Sequence, residues 1–338
     1  MARGSRETEE IALTPNESSM NQSSVGAQTA IRYRAFAPGG VGNIGPGLDI
    51  LGCAVTGSGD SVEARLEGPP GVWIEESGHP QLPRDASRHS SGLAALEVLG
   101  LAGDRASGVT LRIDKGLPLS GGQGGSAASA VAGALATNAL LGRPLDDRSL
   151  VRAALAAEER VAGRHVDNIA PCLFGGILLI RQVEPLEFVR VPVPKWLRIA
   201  LARPDLTLTT KRTRQVLPPS IDRSTALAQA AAVAAMVAAY CMDDPSLLRG
   251  AVDDRIAEPA RAPLIPAFHD VKGAALDAGA LGCSISGGGP TIFALAEGDA
   301  AAHVALRAML DAFAASGVNA DGRVASVDER GARLVEAS

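Results

Sequence analysis

The chain has 338 residues, of which 46% are hydrophobic and 20% charged, and its formal net charge is −5 at pH 7. This composition excludes an intrinsically disordered chain, and the length predicts roughly two domains with buried cores. Aromatic residues make up only 3% of the chain. A mildly acidic chain with so few aromatic side chains lacks the basic surface and the stacking platforms of nucleic-acid-binding proteins, so no nucleic-acid partner is expected.

The cysteines, the N-terminus and the apolar stretches bear on where the protein works. The cysteines are Cys53, Cys172, Cys241 and Cys283. Because they form no CxxC pair, the sequence predicts neither a zinc site nor a disulfide scaffold and favours a reducing, cytoplasmic compartment. Residues 1–30 contain no apolar signal-peptide core and are predicted to form a disordered tail. The longest apolar stretch, residues 226–240, is shorter than the ~20 residues that cross a bilayer, so we expect a core helix and no membrane.

The first half of the chain is predicted to contain strands and helices around two glycine-rich loops. A strand at residues 31–37 runs into a loop at 38–49, and a strand at 109–114 leads into a second loop that begins at Gly116. Further strands are predicted at 61–67, 72–75, 177–182 and 188–191. Helices are predicted at 91–99, 127–141 and from about 146 to 162.

A Pro-Val-Pro segment at residues 192–194 is the best candidate for a domain boundary. Beyond it, strands are predicted at 197–202, 282–286, 291–296 and 323–327. Helices are predicted at about 210–216, 224–240, 246–253, 264–278 and 299–315. The pattern predicts an α+β protein with a tail at 1–30 and two domains, at 31–191 and 192–338.

Residues 118–129, PLSGGQGGSAAS, carry the strongest local signal for a ligand. Consecutive glycines let backbone N–H groups converge, and a following helix adds the positive end of its dipole, so the 118–129 loop suits phosphate oxygens. A strand-to-helix turn packed with small residues is the alternative. The loop ends in Gly-Ser-Ala and lacks the lysine of a Walker A loop. Gly122, Gly124 and Ala127 fit a dinucleotide fingerprint, but a second helix stands where that fold needs an acidic strand.

Three segments in order, at 38–49, 118–129 and 284–291, resemble the three motifs of the galactokinase, homoserine kinase, mevalonate kinase and phosphomevalonate kinase (GHMP kinase) superfamily. Each is weak alone, but the ordered triplet is specific. Within the superfamily the chain most resembles the homoserine kinase branch, over residues 31–335. This branch is indicated by GPGLDILG at 45–52, GRHVDNIAP at 163–171, TTKRTR before Leu-Pro at 209–218, and EPAR before LIP at 258–266.

The resemblance implies a fold and an activity. The expected fold is an N-terminal domain like ribosomal protein S5 domain 2 and a C-terminal ferredoxin-like domain, with the active site between them. The implied reaction is transfer of the γ-phosphate of ATP, with Mg²⁺, to the hydroxyl of L-homoserine, a step of threonine biosynthesis. Two alternatives stay open: another GHMP kinase with a small hydroxy acid such as mevalonate, and a non-catalytic metabolite-binding protein of this fold. A homodimer also stays open.

Homoserine carries a carboxylate, an ammonium group and a hydroxyl, and the resemblance implies a partner for each. Arg214 and Arg261 are expected to bind the carboxylate, because guanidinium groups pair with carboxylates through two hydrogen bonds. Asp49 is the expected ammonium partner. Asn43 and Thr210 are expected to add polar contacts to the substrate.

Phosphoryl transfer needs positioning and charge neutralisation. Mg²⁺ prefers hard oxygen ligands, and the resemblance assigns it to Ser126 and Glu158, with Glu159 as an alternative one residue on. The expected catalytic residues are His165, Asp167 and Asn168. We expect His165 and Asn168 to orient the substrate by hydrogen bonds, and we assign no residue to proton abstraction.

The nucleotide is expected to contact the second and third motifs. The residues that these motifs assign to ATP are Pro118, Ser120, Gly121, Gly122, Gln123, Gly124, Gly125, Ser126, Ala127, Ser129 and Gly288. The sequence departs from the usual Pro-x-x-x-Gly-Leu-Gly-Ser-Ser-Ala pattern, because Gln123 replaces the leucine and Gly125 replaces the first serine. We expect activity to survive this change and the affinity for nucleotide to be affected. By position, residues 88–91 border the adenine pocket.

Overall fold

A computed structural model describes residues 31–161 and 163–336 of the chain. The predicted disordered tail, residues 1–30, lies outside the described residues. The strands are β1 (Arg32–Gly42), β2 (Leu51–Leu66), β3 (Gly71–Glu76), β4 (Gly108–Asp114), β5 (Ile177–Gln182), β6 (Glu187–Val191), β7 (Leu197–Pro204), β8 (Gly282–Ile285), β9 (Ile292–Glu297), β10 (Ala320–Ala325) and β11 (Arg333–Val335). The helices are α1 (Ser90–Ala102), α2 (Gly125–Leu140), α3 (Asp147–Val161), α4 (Ile169–Phe174), α5 (Thr210–Gln215), α6 (Arg223–Met242), α7 (Ala257–Arg261), α8 (Phe268–Asp277) and α9 (Gly298–Ala315).

The first sheet supports the helix that follows the 118–129 loop. Its main path runs β11-β1-β2-β4-β3, and β5 and β6 extend it from β2. Helix α2 packs on β1 and β2 and is buried along nearly its whole length, because alanine, glycine and serine let it approach the strands closely. Helices α1 and α3 pack against α2. The start of α2 is therefore held between packed elements.

The first glycine-rich segment is partly strand, which corrects the predicted loop at 38–49. Strand β1 continues to Gly42 and pairs with β2, with a register shift between Pro38 and Gly40. A bulge of this kind accommodates the proline, which has no N–H to donate. The turn itself begins at Asn43, whose φ of 67° lies in the left-handed region. Pairing with β2 therefore fixes this segment up to Gly42, and the first predicted ligand-binding residue, Asn43, follows directly.

The second sheet has the order β10-β7-β9-β8, with every neighbouring pair antiparallel. Numbered along this half of the chain, the order is 4-1-3-2. Helices lie between its first and second strands and between its third and fourth strands. This is the β-α-β-β-α-β arrangement of a ferredoxin-like domain, as the resemblance implied.

Two predictions for the segment between β7 and β8 are wrong. The expected helix at 246–253 is a single 3-10 turn, Pro245–Leu248, followed by a loop. The expected helix at 264–278 begins only at Phe268, because Pro266 stops a helix from passing and Ala267 has a φ of 58°. The short helix α7 was not predicted. It carries Arg261 at its last residue.

The expectation that residues 226–240 form a core helix is also wrong. Helix α6 has 20 residues, and within it only Gln229, Met236, Ala239 and Tyr240 are buried. Its length and mean hydropathy of 1.6 would permit a membrane crossing, with 22% of the apolar window buried. Three of its buried side chains belong to the hydrophobic cluster formed with β7 and β9. The helix is therefore a part of this fold that packs along one side.

The two sheets meet through backbone hydrogen bonds as well as apolar contacts. Thr56 N–H donates to Ser326 O at 2.9 Å, and Gly287 N–H donates to Gly42 O at 3.0 Å. Strand β11, which the sequence analysis did not predict, returns from the second half of the chain and pairs with β1. Residues assigned to the predicted second domain, 192–338, thus also complete the first sheet.

Candidate active site

A cavity of about 320 Å³ lies between the 118–129 loop and residues of the second half of the chain. The predicted site residues that line it are Asn43, Pro118, Ser120, Gly121, Gly122, Gly124, Gly125, Ser126, Ser129, Glu158, His165, Asp167, Asn168, Thr210, Arg214, Arg261 and Gly288. These residues come from all three glycine-rich motifs. Residues that are far apart in sequence therefore line the same cavity.

The backbone carbonyls of the 118–129 loop are held by the surrounding protein. Gly121 O accepts from the Thr291 hydroxyl at 2.5 Å, and Gly122 O accepts from the Ser286 hydroxyl at 2.7 Å. Gln123 O accepts from Gly40 N–H at 3.1 Å. In a planar trans peptide the N–H points away from the C=O, so these contacts turn the following amides to the other side.

The amides of the same loop are left for a ligand. In the described part of the chain, the backbone N–H groups of Gly122, Gln123 and Gly124 donate to no protein acceptor. Helix α2 begins at the next residue, and the N–H groups of a first helical turn also have no partner within the helix. A side chain at Gly122 is impossible, because its φ is 77° and a Cβ would lie 2.7 Å from Ser286 O. This arrangement suits phosphate oxygens.

An acidic side chain lies beside the start of α2, where a cation would bridge to a phosphate. Glu158 on α3 is 4% exposed and accepts a hydrogen bond from the Ser126 hydroxyl at 2.8 Å. Its Oε2 atom is buried without a partner, and burial raises the pKa of its carboxyl. The described residues contain no cluster of three or more His, Cys, Asp or Glu side chains that could hold a metal. One carboxylate and one hydroxyl nevertheless fit Mg²⁺, which keeps waters and binds phosphate oxygens.

The loop before α4 contributes three polar side chains to the cavity. Asp167 is buried, its Oδ1 atom has no hydrogen-bond partner, and burial raises the pKa of its carboxyl. Asn168 donates weakly to Asp167 Oδ2 at 3.4 Å. His165 is 8% exposed, and its Nδ1 atom is also buried without a partner. Gly42 makes this packing possible, since a Cβ there would lie 2.6 Å from the Asn168 amide nitrogen.

Two predicted substrate residues, Arg214 and Asp49, bind each other. The guanidinium of Arg214 donates to both carboxylate oxygens of Asp49, with Nη1 to Oδ2 at 3.0 Å. Burial acts to raise the pKa of Asp49, but the hydrogen bonds and charge of Arg214 hold it below its ordinary value. The Nε atom of Arg214 is buried without a partner. The pair therefore joins a positive group that lines the cavity, Arg214, to a negative group beside it.

Arg261 is a buried cation without a counter-charge. It is 3% exposed and donates from Nε to Thr213 O at 3.1 Å and from Nη1 to Gly287 O at 2.8 Å. No carboxylate lies within 4.0 Å of it among residues 31–161 and 163–336. Burial lowers its pKa, and the positive charge of Arg214 acts in the same direction. A buried charge is costly unless it is paired, so this position favours an anionic ligand.

The comparisons with known proteins agree with this geometry. A family model for the N-terminal domain of GHMP kinases matches residues 91–176, and one for the C-terminal domain matches residues 232–315. A homoserine kinase from Chlorobium phaeovibrioides is 41% identical over 89% of this chain and 99% of its own length. One from Arabidopsis thaliana is 41% identical over 90% of this chain and 85% of its own length. The chain belongs to the GHMP kinase family.

A solved structure extends the similarity from the sequence to the fold of this GHMP kinase. The crystal structure of a homoserine kinase from Cytophaga hutchinsonii matches with a TM-score of 0.86 at 41% identity, covering 91% of this chain and 98% of the other. The predicted α+β, two-domain GHMP kinase fold is therefore confirmed, as is the predicted resemblance to homoserine kinases.

Three predicted site residues of this GHMP kinase do not line the cavity. The carboxylate of Asp49 is bound to Arg214. Ala127 faces the core of the first sheet and is 1% exposed. Gln123 is buried, and its side chain points to Thr291 and Arg323. For Gln123 and Ala127, a contact with nucleotide would have to come from the backbone.

Sequence reasoning missed an ion pair that supports the 118–129 loop. Lys115 lines the cavity and forms a buried salt bridge with Asp60. The Lys115 ammonium also donates to Gly125 O at 3.1 Å and Ser129 Oγ at 3.0 Å. Asp60 in turn accepts from Leu117 N–H at 3.2 Å. The signal that could have revealed Lys115 was its place at the end of β4, directly before the loop.

Two further residues of the cavity wall belong to the segment 88–91, and its role as the border of an adenine pocket stays a prediction. Arg88 and His89 line the cavity, and the imidazole of His89 caps α1 by accepting from Ser91 N–H at 3.2 Å. The Ser91 hydroxyl donates to Ser129 O at 2.8 Å, inside the 118–129 segment. This wall is thus joined to α2.

Proposed function

We propose that the protein is a homoserine kinase that transfers the γ-phosphate of ATP to the hydroxyl of L-homoserine, giving O-phospho-L-homoserine and ADP. The bond between the γ-phosphorus and the β,γ-bridging oxygen breaks, and a bond from phosphorus to the homoserine oxygen forms. In a cell this step would serve threonine biosynthesis. One observation carries the proposal: four buried polar atoms without partners, Glu158 Oε2, His165 Nδ1, Asp167 Oδ1 and Arg214 Nε, belong to residues around a single cavity. Buried polar groups are normally paired, so a polar ligand is expected here.

The proposed phosphate site is the 118–129 loop with the first turn of α2. Its free amides receive phosphate oxygens of ATP, while the protein holds the opposite carbonyls. Gly288 of the third motif lines the same cavity. Ser126 and Glu158 are proposed to hold Mg²⁺, which when bound neutralises phosphate charge. In this proposal the γ-phosphate of ATP points toward Arg214 and Arg261, which line the same cavity.

The proposed homoserine site recognises the carboxylate and the ammonium group of an amino acid. Arg261, which has no counter-charge among the described residues, pairs with the carboxylate, and Arg214 lies beside it. Asp49, whose pKa is lowered by Arg214, is ionised and is the proposed partner of the ammonium group. Thr210 at the start of α5 adds a hydroxyl. The side chain of Asn43 mainly stabilises the protein around the site, because its amide nitrogen donates to Gly287 O and its amide oxygen accepts from Asp49 N–H, both at 3.1 Å.

The substrate hydroxyl is proposed to lie near His165, Asp167 and Asn168. Their unpaired nitrogen and oxygen atoms can hydrogen-bond the hydroxyl and turn its oxygen toward the phosphorus. The main contribution of such groups is alignment, because phosphoryl transfer asks little covalent chemistry of the protein. No side chain is assigned as the acceptor of the hydroxyl proton.

A substrate comparison tests the proposal. Purified protein with MgATP is expected to release ADP with L-homoserine faster than with mevalonate, galactose or shikimate, and phosphorus NMR should identify the phosphomonoester. 4-Hydroxybutyrate, which keeps the carboxylate and hydroxyl but has no ammonium group, should be a poor substrate because it lacks the cation proposed to pair with Asp49. No ADP release above background with L-homoserine would refute the proposal, and turnover with mevalonate alone would favour another GHMP kinase activity.

The setting of the enzyme belongs to the same proposal. All four cysteines are free, and Cys53, Cys172 and Cys283 are buried, as suits a reducing, cytoplasmic compartment. Nucleic acid and membrane are not proposed as partners. A homodimer remains a proposal that light scattering of the purified protein would test.

A further inference from the structure

The side chain of Gln123 is the place where this chain departs from the motif pattern, and it forms a specific buried contact. It is 7% exposed; its Nε2 donates to Thr291 Oγ1 at 3.3 Å, and its Oε1 accepts from Arg323 Nη2 at 3.3 Å. Arginine can only donate, so the amide oxygen must face Arg323 and the amide nitrogen must face Thr291. A leucine at this position could make neither hydrogen bond.

Thr291 connects the side chain of Gln123 to the backbone of the 118–129 loop. Its hydroxyl accepts from Gln123 and donates to Gly121 O at 2.5 Å, and its backbone N–H reaches the same carbonyl at 3.3 Å. Ser286, at the other end of the same motif, holds Gly122 O. The two carbonyls that turn the loop amides toward the cavity are thus both held by hydroxyls of the third motif.

Arg323 makes the contact costly to remove. It lies on β10 of the second sheet, half-buried, and donates from Nη1 to Thr56 O and from Nη2 to Gln123 Oε1. No carboxylate lies within 4.0 Å of it among the described residues. Burial alone lowers its pKa. Without the Gln123 side chain, the partly buried guanidinium would keep the backbone carbonyl of Thr56 and lose its other hydrogen-bond acceptor.

We propose that Gln123 is a positioning residue that fastens the 118–129 loop to the second sheet through Thr291 and Arg323 and thereby sets the affinity of the loop amides for the phosphates of ATP. The inference rests on the proposed function in that the loop binds ATP. It assigns the side chain of Gln123 no contact with the nucleotide. The loop and the second sheet are then expected to act as one unit in phosphate binding.

The test compares Gln123→Leu, Arg323→Met and the double variant, with Gln182→Leu as a control at an exposed glutamine. Binding of a fluorescent ATP analogue and the steady-state KM for MgATP are measured. Each single variant is expected to raise Kd and KM for nucleotide about tenfold, equivalent to about 1.4 kcal/mol, while KM for L-homoserine changes less than twofold. Because the two side chains act through each other, the double variant should lose no more affinity than the worse single variant.

A merely structural role would give a different pattern. Gln123→Leu would then lower Tm without changing the Kd for nucleotide, and that result would overturn the inference, as would losses that multiply in the double variant. Thr291→Ser and Thr291→Val form a second pair in case Gln123→Leu fails to fold. The serine keeps the hydroxyl and should bind nucleotide like the unaltered chain, whereas the valine should bind about tenfold more weakly. Equal binding by both would overturn the inference.

The measurement of nucleotide binding distinguishes a failure of this inference from a failure of the proposed function. If the unaltered protein binds the ATP analogue but does not phosphorylate L-homoserine, the proposed substrate is wrong and the variants still report on Gln123. If L-homoserine is phosphorylated and the Gln123 variants bind nucleotide normally, the proposed function stands and the positioning role is refuted.

Discussion

The replacement Glu158→Gln tests the proposed Mg²⁺ site, because it removes one charge and leaves the shape of the side chain. Glu158 is 4% exposed, and one oxygen accepts from Ser126 while the other has no partner. Glutamine keeps the acceptor for Ser126. We therefore expect kcat to fall about a hundredfold or more, the scale seen when a group that stabilises developing charge is lost, while the protein becomes slightly more stable.

The stability gain follows from what is buried in each case. An ionised carboxylate removed from water costs several kcal/mol, and the hydrogen bond from Ser126 offsets about 1.5–3 kcal/mol of that. In the variant, an unpaired amide NH₂ group costs about 1–3 kcal/mol instead. At pH values where the carboxyl is ionised in the folded chain, the balance favours the variant by about 1 kcal/mol, which corresponds to a rise in Tm of about 2 °C for a protein of this size.

The pH dependence of this difference has a definite sign. Burial raises the pKa of Glu158 above its ordinary value of 4.5 in the folded chain. The unaltered protein therefore loses stability as pH rises through the interval between the ordinary and the raised value, where the carboxyl must ionise. The Tm difference between Glu158→Gln and the unaltered protein should be absent below pH 4.5 and greatest well above the raised pKa.

Differential scanning calorimetry across this pH range, together with coupled ADP-release kinetics, measures both effects. Glu159→Gln is the matched control, since Glu159 is exposed, forms an ion pair with Arg164 at 3.4 Å and lies one residue further on. It should leave kcat unchanged. A Glu158→Gln variant with normal kcat, or a fall in Tm of several degrees at pH 7, would refute the reasoning.

Three further outcomes are expected. Arg261→Met should raise KM for L-homoserine at least about thirtyfold, or about 2 kcal/mol, while KM for ATP stays within threefold of the value for the unaltered protein. An unchanged KM for L-homoserine in steady-state kinetics would contradict the proposed carboxylate role of Arg261. Asp60→Asn should lower Tm by about 6 °C or more, because it leaves buried Lys115 without its counter-charge at a cost of about 3–5 kcal/mol; scanning fluorimetry with a shift below 2 °C would count against it. Burial raises the pKa values of both Glu158 and Asp167. If both must be ionised for activity, kcat/KM should therefore fall with decreasing pH already above the ordinary carboxylate range. A kcat/KM profile that stays flat down to pH 4.5 would argue against a need for the ionised forms.

Motif order anticipated which residues lie together better than local pattern predicted the elements, whereas their roles stay predictions. The cavity brings together residues 43, 126, 214 and 261, which lie in the motifs and the arginine segments, and Glu158, which the resemblance implied. What the sequence could not predict was how they pair. Asp49 and Arg214 are 165 positions apart, and only the packing of α5 against the turn after β1 makes them partners.

The errors in the elements have physical causes. Residues 38–42 are rich in glycine and proline and were predicted as loop, but pairing with β2 outweighs their low strand propensity. Helix α6 was predicted to be a core helix because alanine and valine are apolar, yet composition does not reveal which side of a helix finds a partner. Asp60 and Lys115 form their ion pair across 55 positions, so the place of Lys115 before the loop could mark that residue but not its partner.

The charges around the cavity explain how an acidic chain without a Walker lysine can bind a triphosphate. The loop amides offer hydrogen bonds without net charge, and Lys115 is neutralised by Asp60. When they are ionised, Glu158 and Asp167 add negative charge, and no cation among the described residues forms a salt bridge with either. A bare triphosphate would meet repulsion at that end, whereas a divalent cation between the carboxylate and the phosphates converts the repulsion into attraction. The cost of burying Glu158 is then recovered only when nucleotide and cation arrive together, so the same carboxylate would favour MgATP over free ATP.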